Sequence, residues 1–177
     1  MDSALASASD VIVRARELAV ASASETMDAS GRAAAAIEVA GLLTQMRDAA
    51  NVAFAGRYVF AGTAYDTAPF DATNTYVGNS EVPEARIGED RWVQTGMDGS
   101  AVFNTGTTDV FATLTALQTA LTSNDAAGVS ATLDDLDDAT RTLVASRAEV
   151  GSLTNTATDA RDVSEGIAAV FSGRLSE

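Results

Sequence analysis

Apolar and small side chains recur at alternating three- and four-residue steps over residues 2–24: Leu5, Ala8, Ile12, Ala15, Ala19 and Ser22, with Val11 and Leu18 widening the stripe. A helical period places these positions on one face, and their small size makes a narrow seam of coiled-coil character. Met27 to Gly31 interrupts the pattern and offers Asp28 or Ser30 as a cap for a second helix. The same spacing resumes over 33–54 with Ala36, Val39, Leu43, Met46, Ala50 and Ala53. Two such stretches joined by a short break predict an antiparallel helical hairpin.

Between Arg57 and Phe103 the period changes. Short runs divided by Gly, Asn and Asp predict strands at 58–61, 84–87 and 91–95, with Gly88-Glu89-Asp90 and Asp98-Gly99 as tight connections. Helical spacing returns after Thr108, read as an N-cap, at Val110 or Phe111, Leu114, Leu117 and Leu121, and stops near Ser123-Asn124-Asp125. A long final helix then carries Val129, Leu136, Leu143 and Val150 at seven-residue intervals, while the interleaved Leu133, Thr140, Arg147 and Thr154 turn from apolar to polar. A seam of that kind packs on its own bundle first and on something else later. The expected fold is mainly α (α+β): an elongated antiparallel helical bundle formed by 1–56 and 104–177, with a small β-rich domain inserted at 57–103.

At 177 residues the chain suffices for one domain with a small insert. Its hydrophobic fraction of 46% is inflated by alanine, which predicts a thin, elongated core. Cys, His and Lys are absent, and all 11 basic residues are Arg. That removes the thiol nucleophile, the imidazole base, the Schiff-base amine and nearly every zinc site. Carboxylates remain, but a carboxylate hydrolase needs two acids facing each other across a cleft. The candidates in the β-region are Glu84, Glu89 and Asp90, and no pattern brings them together. A net charge of −14 argues against nucleic acid and anionic membrane surfaces as partners. No apolar run approaches the roughly 18 residues of a membrane span, and the start lacks a signal peptide's basic and apolar regions. Composition alone therefore reads as soluble and cytosolic.

Three local features have competing readings. Asp134, Asp135, Asp137 and Asp138 suggest a hard cation, yet a straight helix points them apart. The expectation is a solvated face with Asp137 paired to Arg141 and repulsion between Asp134 and Asp138, which arginines from another subunit would ease. Gly56-x5-Gly62 and Gly96-Met97-Asp98-Gly99 lack the lysine of a phosphate loop and read as turns. The aromatics Phe54, Tyr58, Phe60, Tyr65 and Phe70 gather at a helix-to-strand exit, where a small packing core that anchors the inserted domain is favoured over a ligand pocket.

That exit runs Asn51-x4-Gly56-Arg57-Tyr58-x-Phe60-x-Gly62-Thr63-x-x-Asp66-Thr67-x-Pro69-Phe70. It resembles the exit of the hook–filament junction proteins of the flagellin superfamily. Arg14-Ala15-Arg16-Glu17-Leu18-Ala19-Val20, Glu38-Val39-Ala40-Gly41-Leu42-Leu43 and Arg147-Ala148-Glu149-Val150-Gly151-Ser152-Leu153-Thr154-Asn155 resemble flagellin helix segments, in the family's order and over nearly the whole chain.

The resemblance implies a flagellin-like bundle and a structural subunit of the bacterial flagellum. Such a subunit joins the hook, through hook-associated protein 1, to the flagellin filament, and is needed for filament assembly and motility. It is no enzyme and has no cofactor. A filament flagellin, or a flagellin-like secreted subunit, is the alternative, and the exit distinguishes it because flagellins leave the helix with a Phe-Asn-Gly-x-x-Leu-Leu type of segment. Also implied are an extracellular location reached through the flagellar type III channel without a cleaved signal, further copies of itself in a ring, and an export chaperone that holds a C-terminal tail. The family carries additional terminal segments that pair into an inner coiled coil, so a truncated core, monomeric at micromolar concentration, is expected. Arg14, Arg16, Glu17, Asp134, Asp138 and Arg147 are the candidate subunit-contact residues.

Overall fold

The computed structural model of the chain describes residues 1–24, 26–88 and 91–175, the stretch 167–175 as backbone only. Helix α1 (Asp2–Ser22) buries Leu5, Ala8, Ile12, Ala15, Ala19 and Ser22, the whole seam read from the spacing. Helix α2 (Ala29–Ala50) starts at Asp28, whose carboxylate accepts from the Gly31 amide and satisfies one of the orphan donors of the first turn. It buries Ala36, Val39, Leu43, Met46 and Ala50 against α1. Alanine at so many seam positions lets the helix backbones approach closely.

Helix α2 ends at Ala50, not at residue 54 as the spacing suggests. Strands β1 (Ala53–Phe54) and β2 (Arg57–Tyr58) then form a two-residue-loop hairpin with Ala53 opposite Tyr58 and Phe54 opposite Arg57. In place of the expected strand at 58–61 only Arg57–Tyr58 is a strand, and the rest joins the loop structure through the Ala61–Asp98 bridge and the Val59 and Phe60 carbonyls, which accept from the Met97 and Gly99 amides. Strands β3 (Glu84–Arg86) and β4 (Trp92–Gln94) pair antiparallel, Ala85 opposite Val93, close to the expected positions. Glu89 and Asp90 of the expected connection lie outside the described residues.

A one-turn helix α3 (Gly99–Phe103) leads to α4 (Val110–Thr122), which packs on α2. The N-cap of α4 is Asp109 rather than Thr108: its carboxylate accepts from the Ala112 amide at 2.9 Å. Thr108 is buried instead. The last helical stretch is divided at Thr132, whose amide and hydroxyl both donate to the Val129 carbonyl and close the short α5 (Ala126–Ala131). The long α6 (Leu133–Leu175) comes next and runs antiparallel to α1, with Asp137 beside Arg16 and Arg147 beside Asp2. Val129, Leu136, Leu143 and Val150 are all buried, as their seven-residue spacing requires.

One buried charge was not legible in the sequence. Arg32, 5% exposed, lies in the second turn of α2. Its guanidinium donates to the carbonyls of Ser22 at 2.9 Å and Ser24 at 2.8 Å, and to the Asn124 side-chain oxygen at 2.6 Å. It thereby ties the C-terminal end of α1 to the turn after α4, and places a cation at the negative end of the α1 dipole.

Candidate functional site

The geometry of the helix exit begins with Asn51. Its side-chain amide donates to the Phe70 carbonyl at 2.8 Å, and its side-chain oxygen accepts from the Phe70 amide at 2.9 Å. This reciprocal pair pulls the chain out of α2 and closes 51–70 into a loop, while Pro69 restricts the approach of Phe70. The Phe70 ring meets Phe111 of α4 at 4.9 Å, Tyr76 at 5.3 Å and Phe103 of α3 at 5.5 Å, and Phe103 stands edge-on to Phe60 at 5.4 Å. The Tyr76 hydroxyl donates to the Asn79 carbonyl at 2.8 Å, and burial together with the nearby Asp98 carboxylate pushes its pKa well above the usual phenol value. Gly62 completes the turn at φ 64°, where an added Cβ would sit 2.2 Å from the Asn79 carbonyl oxygen.

The five aromatics expected to form one anchor fall into two groups. Phe60 and Phe70 are buried, whereas Phe54 is 80% exposed and Tyr58 and Tyr65 are half-buried. Phe54 therefore does not pack beside Phe60 and Phe70. Because α2 stops at Ala50, Phe54 falls on β1 and turns outward. Sequence reasoning missed the core's other three rings, Tyr76, Phe103 and Phe111; the α4 spacing pointed to Phe111 only as an alternative to Val110, and both are buried.

The outward group lines a groove of about 470 Å³ with Arg57, Pro83 and Thr95. The Arg57 guanidinium lies over the Tyr65 ring, 4.5 Å from its centre. At the hairpin tip Ala55 and Gly56 adopt φ 51° and 79°, the pair of left-handed residues that a type I′ turn needs. Alanine is strained there by about 1–2 kcal/mol. Replacing it with the preferred residue, Ala55→Asn, is expected to raise Tm by about 2 °C in a thermal scan; an unchanged or lowered Tm would show that the tip is not held in this turn.

On the helix faces, Arg14 contacts Glu38 at 2.6 Å and Glu17 at 2.8 Å, Arg16 pairs with Asp137, and Arg147 meets Asp2 at 3.2 Å. The candidate contact residues Arg14, Arg16, Glu17, Asp138 and Arg147 are thus engaged within the chain, and Asp134 is exposed in the first turn of α6. Exposed pairs of this kind contribute little stability, but they register α1 against α2 and α6. The expected Asp137–Arg141 pair is not made: Arg16 comes across from α1 to take Asp137, and Arg141 reaches back one turn to Asp138. The Arg16 hydrogen bond holds the Asp137 carboxyl below its ordinary range. Among the described residues no group of three or more acids could hold a metal ion. Glu84 is exposed on β3, while Glu89 and Asp90 lie outside the described residues.

No family model matches the chain. It is 31% identical over 113 residues to flagellar hook-associated protein 3 of Escherichia coli K12, a match covering 63% of this chain and 36% of that protein. Flagellar hook-associated protein 3 of Salmonella typhimurium gives 31% over 110 residues, covering 61% and 35%. The match therefore spans about a third of the length of these curated relatives. Among solved structures, FlgL of Xanthomonas campestris superposes with a TM-score of 0.88 at 19% identity, over 99% of this chain and 91% of that one. The flagellar junction protein FlgL of Legionella pneumophila gives 0.80 at 13% identity, over 97% and 89%. The chain is thus similar in sequence to flagellar hook-associated protein 3 and shares its fold with FlgL of Xanthomonas campestris and of Legionella pneumophila.

Proposed function

We propose that the chain is the helical core of a structural subunit of the bacterial flagellum, one that joins the hook, through hook-associated protein 1, to the flagellin filament. The observation that carries this reading is the sequence match to hook-associated protein 3. The physical properties agree with it. A bundle of small-residue seams, registered by exposed arginine–carboxylate pairs, suits a building element better than a catalyst. The 57–103 segment is proposed as the domain that distinguishes this subunit from flagellin, since a junction needs surfaces that differ from flagellin on helices compatible with it. Secretion through the flagellar channel, a ring of further copies and an export chaperone belong to the same proposal.

Deletion of the gene is the test. Cells without it are expected to keep hooks, secrete flagellin without assembling it, carry short or absent filaments and be non-motile; re-expressing the gene restores filaments and extra flagellin does not. Normal filaments in the deletion strain, or the protein found along the whole filament, would replace this reading with that of a filament flagellin.

A further inference from the structure

The groove beside Phe54 takes no part in the helical seams or in the aromatic core around Phe70. A phenylalanine that is 80% exposed, on a hairpin held by two left-handed residues, is displayed rather than packed. Beside it Arg57 makes no ion pair among the described residues, and its guanidinium rests on the Tyr65 ring. A cation on an aromatic platform, in a chain of net charge −14, calls for a carboxylate supplied from outside.

The chain itself carries such a ligand. Asp134 and Asp135 occupy the first turn of α6, exposed and without an ion pair among the described residues, while Arg16 and Arg141 take Asp137 and Asp138. The two features lie at opposite ends of the bundle. The Phe54 hairpin follows the C-terminus of α2 near Met1, which shares a surface groove with Val52, whereas α6 begins beside the C-terminal end of α1, where Arg16 meets Asp137. No chain can bring its own hairpin to its own Asp134.

We infer that the Phe54–Arg57 groove of one copy docks the first turn of α6 of a second copy, head to tail, with Arg57 between Asp134 and Asp135. Unlike patches at opposite ends make a heterologous contact, which propagates into a ring or a stack rather than a closed pair. The inference rests on the reading of the chain as an assembling subunit, and it supplies that reading with a specific contact. It also relieves the Asp134–Asp138 repulsion within α6.

The cysteine-free chain makes the test direct. Two single-cysteine preparations are mixed in a glutathione disulfide buffer: Ala53→Cys, next to the intact groove, and Ala131→Cys, one turn before the acids. Both positions are exposed. Mixed disulfide is expected to form about tenfold faster than in a control where Ile37→Cys, exposed on the middle of α2, replaces Ala131→Cys. Adding Arg57→Asp or Phe54→Ala to the first chain should bring the rate down to the control. Adding Asp134→Arg and Asp135→Arg to the partner should restore it for Arg57→Asp, with circular dichroism verifying the fold of each variant. Equal rates with both partner cysteines, or no response to the charge reversals, overturns the contact. Overturned here with short filaments in the deletion strain, the contact alone is lost; a fast mixed disulfide with normal filaments leaves the contact and removes the junction reading.

Discussion

Phe70→Ala is expected to lower the unfolding free energy by about 3–5 kcal/mol and to move the helical circular dichroism and the Trp92 fluorescence transitions together. Phe70 is 2% exposed, and its ring touches Tyr76, Phe103 and Phe111. Its removal leaves a void among rings that the Asn51 clamp holds in place, so the site collapses poorly. From the sequence, Phe70 reads as an anchor whose loss loosens the insert while the helices stay folded. The structure alters that expectation, because the shortest ring contact, 4.9 Å, is to Phe111 of α4, and α4 packs on α2. Loss of Phe70 therefore reaches the bundle. Urea titration followed by both signals decides the matter: a Trp92 transition well ahead of the helical one means that the insert melts as a separate unit.

Arg32→Ala carries the second large effect, about 2–4 kcal/mol. The guanidinium is buried and donates to three neutral oxygens, the carbonyl of Ser22 at the end of α1, that of Ser24 in the turn after it, and the side chain of Asn124. Truncation leaves those acceptors without their donor and opens the corner where α1 and α4 end and α2 begins. Arg32→Lys is expected to recover less than half of the loss, since a single ammonium on a flexible stem does not reproduce the planar fork. Asn124 adopts a left-handed φ of 54°, so Asn124→Gly removes one acceptor without straining the turn and isolates its share. Guanidinium-chloride unfolding of the variants measures the difference. A loss below about 0.5 kcal/mol for Arg32→Ala would place the charge among ordinary surface substitutions.

The seam of α1 from Leu5 to Ser22 and the heptad from Val129 to Val150 were legible in the sequence because burial on a helix is periodic, and the period is written in neighbouring residues. The β3–β4 pair was legible for a similar reason, through short runs bounded by turn residues. The run of residues from Asn51 to Phe70 was legible as a motif. What it does physically was not: Asn51 reads as one more polar residue in a helical pattern until Phe70, 19 positions later, is brought to its side chain.

The amino-acid order by itself determined which faces of the helices are apolar, which residue types catalytic chemistry lacks, and which known exit the chain resembles. Those properties live in residue identity and in spacings of three, four or seven. Tertiary structure alone decided that α2 ends at Ala50, that Phe54 faces outward while Phe111 completes the aromatic core, that Asp137 belongs to Arg16 and not to Arg141, and that Arg32 closes the far corner. Each of these depends on a partner that is remote along the chain, 121 residues away for Arg16 with Asp137 and 92 for Arg32 with Asn124. A hydrogen bond or ring contact of that range is created by the packing of the helices, whose relative placement no local spacing encodes.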